Sequence, residues 1–126
     1  MPISSSIDES RKLIYTTCNG MMSLDDFYVY IADVWHDPGH YGFNELFDTT
    51  QADWSQFDYN LLLKLAQSAA KLQTLDPESK LAWVVLEGKQ KDLTDFYKSA
   101  KSMLPVKSRK LEAFHSREQA LKWLES

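Results

Sequence analysis

Several features that define common protein classes are missing from this sequence, and each absence excludes one of them. Cys18 is the single cysteine among 126 residues, so the chain forms no internal disulfide, which fits a reducing cytoplasm. No apolar run approaches the roughly 20 residues that a membrane-spanning helix needs. The first residues, Met1 to Ser4, have neither a basic start nor an apolar stretch, so we expect no secretory signal. Together these absences predict a cytoplasmic protein.

Patterns that carry catalysis or hold metals are also scarce. The four glycines are scattered and form no phosphate-binding loop. His36 and His40 are four residues apart, but Pro38-Gly39 between them breaks the helical register that a metal pair would need. Asp48, Asp53 and Asp58 are a weak alternative as Mg²⁺ ligands. The sequence thus favours a protein that is not an enzyme, with no catalytic residue, no metal and no cofactor.

Composition predicts one globular domain spanning residues 1–126, with 44% hydrophobic and 25% charged residues. The charge is unevenly distributed along it. Residues 1–87 carry 5 Lys or Arg against 13 Asp or Glu, whereas residues 88–126 carry 9 against 5. Such a split indicates either an anionic partner surface or only differently solvated helix faces.

Segments rich in β-branched and aromatic residues alternate with segments in which apolar residues recur every three or four positions. This alternation predicts an α/β fold in the order β-β-α-β-α-β-α-β-α. We expect a mostly parallel five-stranded sheet with an antiparallel edge strand and four helices. The predicted strands are 3–7, 12–18, 43–49, 81–87 and 109–114, and the predicted helices are 23–37, 58–75, 92–104 and 116–124.

The loop after the predicted strand 43–49 is the first candidate site. Ligands of open α/β sheets bind beyond the carboxyl ends of the strands. This loop offers hydroxyls, carboxylates and rings, but residues 48–59 contain no histidine, lysine or cysteine that could activate a nucleophile. We therefore expect binding rather than catalysis here, although a plain connection is the alternative. The expected ligand-binding residues are Asp48, Thr49, Thr50, Trp54, Phe57 and Tyr59.

The third predicted helix and the residues after it are the second candidate site. Basic residues surround a short apolar segment, as a peripheral membrane contact requires: the apolar side chains enter the lipid and the lysines attract anionic head groups. A core-facing helix with a solvated lysine face is the alternative. Nucleic acid is not expected, because the basic residues are few and the net charge is negative. The expected membrane-contact residues are Lys98, Lys101, Met103, Leu104, Val106 and Lys107.

Several strings, in their order, resemble the SpoIIAA-like family of the STAS (sulfate transporter and anti-sigma factor antagonist) superfamily. They are GMMSLDDF at 20–27, ELFD at 45–48, LAWVV at 81–85, the aromatic Phe114, and EQALKWL at 118–124. The resemblance implies the fold. Anti-sigma factor antagonists carry a phosphorylated serine within Asp-Ser-Ser-Gly at the start of the second helix, where this chain reads Asp58-Tyr59-Asn60-Leu61. The resemblance therefore does not imply a phosphoserine switch in this chain.

The same architecture is similar to that of CRAL-TRIO lipid-transfer domains, which hold apolar ligands beneath a movable helix. We accordingly expect a non-enzymatic binding domain for an apolar or amphiphilic small molecule, with reversible membrane association through the third helix. The alternative is a protein-interaction regulatory module of the anti-sigma factor antagonist type, with a protein partner instead of a small ligand. A hydrolase ranks last, because no base lies near the loop hydroxyls.

Overall fold

Residues 2–72, 78–104 and 109–126 are described by the computed structural model, and they build one five-stranded sheet. The strands lie side by side in chain order. β1 pairs antiparallel with β2, and all later pairs are parallel, which confirms the predicted mixed sheet with an antiparallel edge. The strands are β1 (Ile3–Asp8), β2 (Leu13–Met21), β3 (Asn44–Asp53), β4 (Lys80–Val84) and β5 (Lys110–Phe114).

Helices follow every strand from β2 onward. They are α1 (Leu24–Tyr30), α2 (Tyr59–Leu72), α3 (Lys89–Ser102) and α4 (Arg117–Leu124); a π-helical turn (Ile31–Trp35) extends α1. Ser23 caps α1 as predicted: its hydroxyl accepts from the Asp26 amide and its own amide donates to Asp26. The predicted end of the second helix, including Asp76-Pro77, lies outside the described residues.

Strand order decides which face each helix covers. Right-handed crossovers between successive parallel neighbours place their helices on one side of the sheet. α1, α2 and α3 accordingly pack on one face, around Ile14, Phe47 and Trp83. α4 packs on the other face through Ala120 and Leu124, against Leu13, Leu46, Ala82 and Val84. The larger, aromatic-rich core therefore lies beneath α1, α2 and α3.

Two strands extend beyond their predicted ends. β2 continues through Asn19-Gly20 to Met21 after a bulge at Cys18, and β3 continues to Asp53. Pairing explains both extensions, because Met21 lies opposite Asp53 at the last rung of the parallel ladder. The predicted loop after β3 consequently begins at Trp54, and Asp48, Thr49 and Thr50 lie within the strand.

The central strand β4 is shorter than predicted, and α3 begins earlier. β4 ends at Val84 instead of Glu87, and α3 begins at Lys89 instead of Asp92. Gly88 permits the sharp turn between them with a φ of +88°. The Gln90 side chain accepts a hydrogen bond from the Leu86 amide at 2.8 Å, which holds this short connection against α3.

Candidate functional site

A small apolar cavity lies between the sheet and the helices of its larger face. Its volume is about 20 Å³, room for about one water molecule. α3 contributes Tyr97 to its wall, so this helix forms part of the cover. Aromatic and aliphatic side chains make up the whole lining: Phe27, Tyr30, Ile31, Trp35, Phe47, Leu65, Leu81, Trp83 and Tyr97. An organic ligand would have to move part of this wall.

Beside the cavity, a buried carboxylate has several donors. Glu45 is fully buried in β3. It accepts hydrogen bonds from Thr16 Oγ1 at 2.6 Å, Trp35 Nε1 at 3.1 Å, the Tyr30 hydroxyl, and Arg109 Nη1 at 2.9 Å. Burying an ionised carboxylate is costly unless charge and hydrogen bonds compensate it, and Glu45 has both. The Glu45 carboxylate therefore serves to hold the structure together.

Arg109 immediately precedes β5, and only 3% of it is accessible. Besides Glu45, it donates to Ser79 Oγ at 2.9 Å and to the carbonyl oxygens of Phe43 at 3.1 Å and Lys80 at 3.3 Å. These acceptors lie where β3 and β4 begin. Arg109 thus joins the starts of neighbouring strands. In the sequence, Glu45 stands within the apolar stretch of a predicted buried strand, and a buried carboxylate needs a partner. This was the sequence signal for a residue such as Arg109.

Lys101 is the unexpected residue of this region. It is only 4% exposed, and its Nζ has no hydrogen-bond partner among the described residues. The ammonium lies 5.6 Å from the ring centroids of Trp35 and Tyr97, which both line the cavity. Burial, assisted by the positive charge of Arg109, lowers the pKa of Lys101 to about 8, although Glu45 acts in the opposite direction. The expectation that Lys101 is an exposed membrane contact is wrong for this conformation.

The other expected membrane residues are placed differently. Lys98 is exposed and forms an ion pair with Glu112 at 3.0 Å. Met103 is 84% exposed at the C-terminal end of α3. Leu104 is partly buried against the core. Val106 and Lys107 lie outside the described residues. Lys98 and Met103 are therefore the members of this set that the described structure presents to solvent.

The predicted ligand residues of β3 point to opposite faces of the sheet. Asp48 lies on the α4 side, where it accepts from Arg117 Nε at 2.7 Å and from the Thr50 amide and hydroxyl at 2.9 and 2.7 Å. Burial raises the pKa of Asp48, but these hydrogen bonds outweigh it and hold the pKa below the usual value. Thr49 lies on the other side, donating to the Val84 carbonyl and accepting from Trp83 Nε1 at 2.9 Å.

The predicted ligand residues beyond β3 are also divided. Trp54 and Phe57 are buried, 5% and 4% exposed, and their rings pack against each other and against Phe27. Tyr59 is 55% exposed at the start of α2, with its ring 4.6 Å from that of Phe96 on α3. The structure therefore does not assemble the six predicted residues into one site. Alternation along an extended strand separates Asp48 from Thr49.

Groups with catalytic or metal-binding potential are dispersed. Cys18 is buried, and burial, with the negative charges of Glu45 and Asp48, raises the pKa of its thiol, which disfavours the reactive thiolate. His40 Nδ1 lies 2.7 Å from the Val34 carbonyl oxygen. Within residues 2–72, 78–104 and 109–126, no three His, Cys, Asp or Glu side chains are grouped to hold a metal ion. In those same ranges, no helix is long and apolar enough to cross a bilayer.

Comparison with known proteins identifies the fold. No protein-family model matches the sequence, and no curated protein matches it. Among solved structures, the chain is similar to an uncharacterized protein of the DUF3478 family with a SpoIIAA-like fold from Shewanella loihica PV-4. The similarity covers 97% of this chain and 93% of that chain, with a TM-score of 0.56 and 17% sequence identity. It shows that the chain has a SpoIIAA-like α/β fold, as its sequence strings predicted.

Proposed function

We propose that this protein is a non-enzymatic binding domain that holds an apolar or amphiphilic small molecule beneath α3. The observation that carries the proposal is the aromatic-lined cavity to which α3 contributes Tyr97, together with the Lys101 ammonium 5.6 Å from two of the lining rings. Among the described residues this ammonium has no hydrogen-bond partner. Apolar pockets with few polar groups are typical of small-molecule sites. The cavity of about 20 Å³ would have to enlarge to hold such a ligand.

Opening the site requires part of the wall to move, and we infer that α3, which contributes Tyr97, is the part that moves. Its buried residues Leu93, Tyr97 and Ala100 pack by apolar contact. Among the described residues, Gln90 makes its side-chain hydrogen bonds to other elements, at the N-terminal end. In the C-terminal half, Tyr97 and Ala100 are held by packing, and the exposed Lys98–Glu112 ion pair contributes little. A hinge near Gln90 would let the cavity enlarge.

Calorimetric titration of the purified protein with dodecanol and dodecanoate tests the binding function. Both ligands should bind, with a negative heat-capacity change that reports burial of the alkyl chain. Tyr97→Trp adds bulk to the cavity wall and should weaken both, whereas Tyr41→Ala removes an exposed ring that does not line the cavity and should weaken neither. Absence of binding to both amphiphiles, at concentrations where each stays monomeric, would refute the proposal.

Reversible membrane contact through the end of α3 completes the proposed function. Met103 is the most exposed large hydrophobic side chain among the described residues, and Lys98 is exposed on the same helix. Co-sedimentation should show more binding to anionic than to neutral vesicles, and salt should reduce it. Met103→Ser should weaken the association, while Lys122→Glu on α4 should leave it unchanged. Equal binding to both vesicle types would eliminate this part of the proposal.

One surface favours the regulatory alternative. Tyr59 and Leu63 are 55% and 39% exposed on α2, and Phe96 stacks on Tyr59 from α3. Aromatic side chains exposed together are common at protein contacts. A photo-crosslinking residue at position 59, with position 41 as the control, would test this alternative. A single partner captured at position 59, and released by Leu63→Asp, would support it; the same products from both positions would not.

A further inference from the structure

Positive charge exceeds negative charge in the buried region beside the cavity. Glu45, Arg109 and Lys101 are 0%, 3% and 4% exposed. The carboxylate of Glu45 is committed to Arg109, Tyr30, Trp35 and Thr16. Lys101 has no hydrogen-bond partner in the described parts of the chain. Among the described residues, one buried cation therefore lacks an anion of its own.

We propose that Lys101 is the head-group residue of the cavity, where it pairs with the carboxylate of an amphiphile whose alkyl chain lies among the aromatic rings. This inference rests on the proposed function and specifies its substrate class. A neutral ligand would leave the ammonium unpaired, and a cationic ligand would be repelled by Lys101 and Arg109. A carboxylate accepts the N–H donors that the ammonium presents.

The surroundings of Lys101 favour a ligand over a purely structural role. The faces of Trp35 and Tyr97, with centroids 5.6 Å from Nζ, attract the cation but accept no conventional hydrogen bond. A buried charge without such a bond is costly to maintain. Because both rings also line the cavity, an anion beside Nζ would place the attached chain at the cavity wall.

The position of Lys101 on α3 also links the carboxylate of the ligand to the helix that forms part of the cavity wall. Lys101 lies on α3, one helical turn after Tyr97, which forms part of the cavity wall. A carboxylate held by Lys101 would therefore be held by the same helix that must move to admit the chain. Ligand release and outward movement of α3 become one event.

Proton binding gives this pairing a distinctive dependence on pH. The charged and titratable groups that contact or act on Lys101 are Glu45 from β3, Arg109 before β5 and Tyr97 on α3. Burial raises the pKa of Tyr97, which therefore stays neutral. Lys101 loses its charge as the pH passes its pKa of about 8. Affinity for dodecanoate should then fall with rising pH, while affinity for dodecanol should not.

Calorimetry with dodecanoate and dodecanol tests the inference on the full chain. Lys101→Met should weaken dodecanoate by about 10- to 100-fold at neutral pH, as expected for loss of a charge-assisted contact, and leave dodecanol within about 3-fold. Lys91→Met removes a lysine from the same helix, where it pairs with Asp95 one turn away, and is the matched control. Lys101→Arg keeps the charge at alkaline pH, so its dodecanoate affinity should no longer fall between about pH 7 and pH 9.5.

Each result separates the two proposals. If both amphiphiles bind with the same pH profile, and Lys101→Met weakens neither selectively, the carboxylate pairing is refuted while the binding function stands. If neither amphiphile binds, the binding function fails and the pairing with it. Selective, pH-dependent loss of dodecanoate in the wild type supports the pairing even if a Lys101 variant fails to fold.

Discussion

Arg109 Nη1 lies 2.9 Å from Glu45 Oε1, and both side chains are inaccessible to solvent. Removing one partner would leave the other charge buried without its opposite charge. Arg109→Met should therefore lower the free energy of unfolding by about 3–5 kcal/mol, measured by urea denaturation. The double variant Arg109→Met with Glu45→Met should be less destabilised than the sum of the single changes. Lys91→Met, in an exposed pair with Asp95, is the control and should change stability little.

Stability at alkaline pH should reveal the buried ammonium of Lys101. Its pKa is about 8 in the folded protein and near its ordinary value of 10.5 in the unfolded chain. The unfolded state thus binds more protons between these values, so the Lys101 contribution to stability improves as the pH rises from 8 to 10.5. Below pH 8 the full penalty applies, and Lys101→Met should stabilise the protein there by up to about 3 kcal/mol.

The measurement is the difference in unfolding free energy between wild type and Lys101→Met across that range. The difference should shrink as the pH rises, because the wild-type lysine becomes neutral. Taking the difference cancels other groups that titrate at alkaline pH, including tyrosines and exposed lysines. A constant difference from about pH 7 to pH 10.5 would show that Lys101 does not titrate there.

Acid stability should depend on the Asp48–Arg117 pair. Hydrogen bonds from Thr50 and Arg117 hold the pKa of Asp48 below 3.8 despite its partial burial. The stabilisation is therefore present above that value and is lost as the pH falls through the lower folded-state pKa. Arg117→Met should reduce stability at neutral pH by less than about 1 kcal/mol, because Arg117 is largely exposed. Its effect should shrink as the pH is lowered below 3.8, which thermal melts across that range would show.

Thr49 should contribute to the stability of the fold through its hydroxyl group. Its hydroxyl donates to the Val84 carbonyl at 3.0 Å and accepts from Trp83 Nε1 at 2.9 Å. Thr49→Val keeps the shape but leaves both buried groups unsatisfied, and should cost about 1–3 kcal/mol. Thr49→Ser retains the hydroxyl and should cost less in chemical denaturation. Equal losses in the two variants would mean that packing of the methyl group, not hydrogen bonding, dominates.

The order of strands and helices was predictable because it depends on patterns spread over many residues. The run from Leu81 to Val85 is apolar at consecutive positions, as a strand covered on both faces requires, and these residues are all buried. Strand ends were not predictable. The last rungs of β2 and β3 depend on pairing between Met21 and Asp53, which neither segment reveals alone.

The buried lysine was missed because residue type was given more weight than position. Leu93, Tyr97 and Lys101 recur at intervals of four, so helical periodicity places Lys101 on the buried face of α3. Because lysine is charged, an exposed position was predicted for it. Lysine side chains are usually exposed to solvent. Lys98 is exposed in this way, whereas Lys101 is buried. Exceptions of this kind concentrate at functional sites.

The consecutive order of the five strands also has a consequence for folding during synthesis. Each strand pairs with the one made just before it, so none must insert between strands that have already joined. Such an arrangement allows the sheet to grow from one side as the chain emerges from the ribosome. Glu45 nevertheless emerges long before Arg109, its ionic partner. A nascent chain that ends before Arg109 cannot neutralise this carboxylate, so arrested chains ending at residues 104 and 126 should differ sharply in protease resistance.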